Sequence, residues 1–132
     1  MVSFNLKPSS KRPYYFSVFI YDSLSSMQRM LRRRHPKNYH DAQAAVYTLK
    51  TRFHGYHIGE IYFCKPLFTQ PIIAHEAVHA ALSYMSVYGY TNMKITRASG
   101  PPTEERLATE VEKIVRGLNM IAKELNIRNN SH

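Results

Sequence analysis

Seven histidines punctuate this chain of 132 residues, and two of them stand four positions apart in Ile73-Ala74-His75-Glu76-Ala77-Val78-His79. On a helix, positions i and i+4 lie on one face, one turn apart. Two imidazoles so placed reach a single ion at the roughly 2.0–2.1 Å that zinc takes. Glu76 sits beside the first of them, where its carboxylate can meet a water on the ion without binding the ion itself. Zinc brings the pKa of such a water toward about 7, and the carboxylate accepts its proton as it attacks a carbonyl. The pattern is H-E-x-x-H. Its apolar surroundings (Ile72, Ile73, Ala77, Val78, Ala81) make a dry wall that strengthens the field around a charge. Two solvated histidines on an amphipathic helix are the alternative reading of the same spacing.

A catalytic zinc needs a third protein ligand and one open position. The acidic candidates are Glu104, Glu105, Glu110 and Glu112. Glu105 opens an E-x-x-A stretch whose small Ala108, one turn on, permits close helix packing, which places it first and Glu104 next. As ordinary surface carboxylates, both would complement the dipole at a helix start. Charge building on a carbonyl oxygen also calls for a donor. His54, His57, Tyr88 and Tyr90 are candidates, and spacing selects none of them. Cys64, the single cysteine, fits a small buried residue better than a ligand.

The elements that must carry these groups follow from periodicity. Residues 14–21 are aromatic and β-branched and read as a strand. A helix follows to about Arg34, with Met27, Met30 and Leu31 as its apolar stripe and four arginines on its polar side and end. His35-Pro36 stops it. Residues 44–49 and 57–64 read as a second and third strand. The motif helix runs from about Gln70 to Val87, with Pro71 in its first turn. Thr103 caps the last helix, where Leu107, Val111, Ile114, Val115, Leu118, Ile121 and Leu125 recur at three and four. Residues 1–12 are expected to be a flexible basic arm, 13–127 a single domain, and 128–132 a polar tail.

Net charge is +9. Residues 1–52 hold ten Lys/Arg against two Asp, and the motif-bearing remainder is nearly neutral, with eight against seven Glu. A basic patch of this kind attracts nucleic acid or an acidic protein, or is simply a solvated face. One cysteine allows no intrachain disulfide, which points to a reducing, cytoplasmic setting. No apolar run is long enough to cross a bilayer, so no membrane partner is expected.

The chain resembles the gluzincins, with H-E-x-x-H on one helix and a glutamate ligand on a later one. More narrowly, it is similar to minimal, phage-encoded zincin proteins of about this length. The segments YYFSVFIYDSLSSMQRMLRR, AAVYTLK, HIGEIYF, IIAHEAVHAAL and EERLATEV follow their order of elements. The resemblance implies an α+β fold, a small, mostly antiparallel three-stranded sheet packed on the H-E-x-x-H helix and a C-terminal glutamate helix. It implies one Zn2+ held by His75, His79 and Glu105, with Glu76 as base. It also implies that residues 57–63 form an edge strand to which an extended peptide adds. His57, Gly59, Ile61 and Tyr90 would then border the substrate groove or assist the oxyanion. Thr109 departs from the family, which often has Asp or Asn there to orient a ligand histidine. The expected activity is zinc-dependent hydrolysis of a peptide or protein, in the host cytoplasm if the chain is phage-encoded. The alternative is a catalytically weak binding or regulatory protein on the same scaffold, docking nucleic acid or an acidic protein through its basic half.

Overall fold

Strand β1 (Val2–Leu6) opens the chain. Val2, Phe4 and Leu6 alternate with Ser3 and Asn5, the period-two pattern of a strand with one face covered, and Leu6 is buried. The expected flexible arm is thus a strand over these residues: three apolar side chains on one face outweigh the polar composition of the segment. The computed structural model describes residues 1–37, 42–49, 55–87 and 100–129. The order continues with β2 (Tyr15–Tyr21), α1 (Leu24–Arg34), β3 (Ala45–Thr48), β4 (His57–Cys64), a 3-10 turn, α2 (Gln70–Val87) and α3 (Gly100–Asn129).

The four strands form one mixed sheet in the order β1-β2-β4-β3. β1 pairs antiparallel with β2, and β3 antiparallel with β4, while β2 and β4 run parallel. The expectation of three mostly antiparallel strands is corrected in two ways. A fourth strand joins at the N-terminus, and the central pair is parallel because the long connection through α1 returns the chain in the same direction. β4 is therefore an interior strand, and the edges are β1 and β3. Its burial agrees: six of the eight positions are buried and the other two half-buried, and Ile61, Tyr62, Phe63 and Cys64 are fully covered.

Each sheet face has its own core. On one, Leu6, Phe16, Val18, Ile20, Ile61 and Phe63 pack against Ile73, Ala77, Ala80 and Ala81 of α2 and Ile114, Leu118, Ile121 and Leu125 of α3. The three small alanines of α2 let that helix lie close to its neighbours. On the other face, Tyr21, Tyr62 and Cys64 cover Met27 and Leu31 of α1. Each large apolar side chain so buried contributes about 1.5–3 kcal/mol. Ser23 caps α1, its hydroxyl accepting from Ser26 N at 3.1 Å. α3 starts at Gly100, earlier than a cap at Thr103 would allow, because Pro101 and Pro102 occupy its first turn, where a missing N–H costs nothing. Among the described residues, no helix is long and apolar enough to cross a membrane.

Among the described residues, Gly59 is the glycine whose lack of a side chain the strand pairing requires. A Cβ there would run into the Tyr47 carbonyl oxygen and lie 3.1 Å from Thr48 Cα, both on β3. Backbone cannot swing aside as a side-chain tip can. Gly59→Ala is expected to push β3 off β4 and to cost about 1–3 kcal/mol, read as a lowered denaturation midpoint at unchanged m-value.

Candidate functional site

The sheet decides which way α2 faces. Ile73, Ala77, Ala80, Ala81 and Tyr84 turn inward and are buried. His75 and His79 therefore lie on the outer side, exposed, one turn apart. Their rings converge: the two Nε2 atoms are 3.3 Å apart, with ring centroids 5.0 Å apart and planes at 68°. Two nitrogens each about 2.05 Å from a zinc ion, at the tetrahedral angle, lie about 3.3–3.4 Å apart. The observed spacing is the one a shared ion requires. With no ion, it also suits one imidazole donating to the other.

Glu76 is the buried member of the motif, only 7% exposed. It makes no hydrogen bond with any described side chain and lines the same cleft as the histidines. Burial pushes its carboxyl pKa up, and the neighbouring His79 and His75 draw it partly back. A carboxylate held in this way has a higher proton affinity than a solvated one, as a general base needs.

The cleft is formed by α2 and β3. One cavity, of about 400 Å³, lies between Gln43 and Ala44 and the start of α2 at Pro71, Ile72, His75 and Glu76. The other, of about 270 Å³, lies between Ala42 and residues 44–47 and the trio His75, Glu76 and His79. The hydroxyls of Thr48 and Ser83 hydrogen-bond, pinning the end of β3 to α2 one turn beyond His79. Leu49 N donates to Ile58 O at 2.8 Å. By the alternation of an antiparallel ladder, Ala45 and Tyr47 direct their backbone groups to β4. Ala44, Val46 and Thr48 direct theirs outward, along an edge that no described strand covers, beside the histidines.

The cleft wall is thus β3, not the strand of residues 57–63. Ile61 is fully buried, and Gly59 is enclosed by Phe16 on one side and Thr48 on the other. His57 Nε2 pairs with Ser17 Oγ at 2.9 Å and its ring stacks on Tyr15. None of these three lines the cleft, since hydrogen bonds on both sides of β4 leave it no edge for a peptide. Tyr90, Tyr88 and His54 lie outside the described residues.

The four glutamates in the first half of α3 separate cleanly. Glu112 is exposed and paired with Arg116 at 3.0 Å. Glu110 is fully buried, with Arg106 Nε at 3.2 Å and Lys113 Nζ at 3.6 Å balancing its charge without hydrogen-bond geometry. Glu104 and Glu105 are exposed on the first turns and form no ion pair with a described residue. Thr109 Oγ1 donates to Glu105 O at 2.9 Å, so its hydroxyl serves the helix backbone and not a histidine. Among the described residues, no group of three His, Cys, Asp or Glu side chains is arranged to hold a metal ion. Cys64 is buried on the α1 side of the sheet, where desolvation raises its thiol pKa.

Comparison with protein-family models, curated proteins and solved structures finds no match to this chain.

Proposed function

We propose that this chain is a zinc-dependent metallopeptidase of the zincin type, with His75 and His79 as ligands of one zinc ion and Glu76 as the general base. The 3.3 Å between the two Nε2 atoms carries the reading. A bound zinc supplies a Lewis acid that polarises the substrate carbonyl and acidifies water. Glu76 takes the proton from the attacking water and delivers it to the leaving amine, and its burial keeps that proton off bulk solvent. The outer edge of β3, unpaired among the described residues, supports the substrate class. An extended peptide adding to Ala44, Val46 and Thr48 would run alongside the histidine pair, its backbone held by main-chain hydrogen bonds.

Glu105 is the proposed third ligand, with Glu104 as its nearest competitor. In the first half of α3, Arg116 takes Glu112, and Arg106 and Lys113 enclose Glu110, whereas Glu104 and Glu105 form no ion pair with a described residue.

Zinc-loaded protein should cut an unstructured protein substrate. A chelator should stop the reaction, and added zinc should restore it. Protein that carries one zinc per chain yet releases no new N-termini would overturn the peptidase reading. The second reading, a metal-holding scaffold that binds rather than cleaves, would then stand; the arginine-rich outer face of α1 favours it.

A further inference from the structure

Helix α1 contains Arg29, Arg32, Arg33 and Arg34 and no acidic residue. Met27 and Leu31 fix its inward face. At 100° per residue, Arg29, Arg32 and Arg33 fall together on the opposite side, and all three are exposed. Arg34 differs: it turns back toward the sheet, where Nη1 donates to Glu60 and to Tyr62. Arg29 and Arg33 form no ion pair with a described residue. Lys37 continues the exposed positive surface just past the helix end. The face lies across the sheet from α2, so an occupant there leaves the histidine cleft open.

We infer that the outer face of α1 binds the phosphate backbone of duplex DNA, without reading sequence. Charge complementarity is the first argument. Guanidinium forks match phosphate oxygens two at a time. The second argument is what the face lacks. The large apolar side chains exposed among the described residues are Met1, Tyr56, Val78, Leu82 and Met120, none of them on α1. A protein interface uses apolar and aromatic anchors, and an interfacial membrane helix inserts an apolar face. Single strands are held by aromatic stacking platforms, and α1 has no aromatic residue. A duplex asks for none of these. It presents one charge per about 1.7 Å of axis, a density to which a short rigid row of cations responds.

The test is fluorescence anisotropy of a labelled 20-base-pair DNA duplex titrated with the full chain over a salt series. Three phosphate contacts predict a slope of log affinity against log salt near −2.7, about a 40-fold loss between 50 and 200 mM salt. Arg29→Ala/Arg32→Ala/Arg33→Ala should bring the slope close to zero and weaken binding at 50 mM salt by at least tenfold. The triple lysine variant should keep most of the slope, and circular dichroism of both variants should match the parent. Duplex binding that survives the alanine variant unchanged would overturn the proposal. So would its absence at low salt, or tighter binding to single-stranded RNA, polyglutamate or phosphatidylserine vesicles than to the duplex.

Discussion

Glu76→Gln should abolish peptide hydrolysis while leaving zinc content unchanged. The amide keeps the shape of the side chain and cannot accept the water's proton, so the expected loss is about 10²–10⁴-fold in kcat, the usual worth of a positioned general base. The histidines remain in place because Glu76 lines the cleft and makes no hydrogen bond to either imidazole. Stability should move the other way. Burial raises the folded-state pKa of Glu76 above that of an ordinary glutamate. Folding therefore favours the protonated form, and metal-free stability falls as pH rises from the ordinary glutamate pKa through the raised one. Above that window the wild type holds a buried charge that glutamine removes. Metal-free Glu76→Gln should then melt no lower than the wild type at pH 7, and the difference should vanish below about pH 4. Retained turnover in a zinc-bearing Glu76→Gln protein would remove this residue from the chemistry.

His79→Ala should cost the protein its zinc. Replacing a group that merely supports a ligand weakens a metal site about 10–100-fold, so loss of a ligand itself should weaken it by more than about 100-fold. The readout need not be activity. A ligand that binds only the folded state raises stability by about 2.7 kcal/mol at a hundred times its dissociation constant, roughly 10 °C in a domain of this size. Zinc should produce that shift in the wild type and none in His79→Ala. His79 is exposed, so the variant should fold as the wild type does. An undiminished zinc-dependent shift in His79→Ala would place the ion elsewhere.

Much of the positioning was legible in the residues. The motif helix spans Gln70–Val87, as its apolar breadth and Pro71 indicated, and α1 begins after its serine cap and ends at His35 before Pro36. The convergence of His75 and His79 follows from i, i+4 spacing alone. Strand order was not legible. A strand's neighbours depend on contacts far away in sequence, and periodicity reports only which faces are covered. Even so, a signal was present. Ile61, Tyr62, Phe63 and Cys64 form a continuous apolar run, the mark of a strand buried on both faces. Ala45–Thr48 is short and only half-covered, as edge strands are. Weighing those two features would have put β3 beside the histidines and β4 in the middle. The N-terminal strand was hidden by composition: the polar and basic residues of 1–12 outweigh the short alternation of Val2, Phe4 and Leu6. Glu105 shows a limit of another kind. Helix periodicity tells which glutamates face inward, and it singles out Glu110, but it does not choose between the exposed Glu104 and Glu105 for the proposed third ligand.

X-ray absorption at the zinc edge of the zinc-loaded chain tests the shared ion most directly. Two histidine imidazoles should appear in the first coordination shell, with nitrogen at about 2.0–2.1 Å and only oxygen besides, at one zinc per chain. His75→Ala/His79→Ala should lose both the metal and the imidazole signature. A shell without imidazole, or one containing sulfur from Cys64, would contradict the assignment of this cleft as a zinc site.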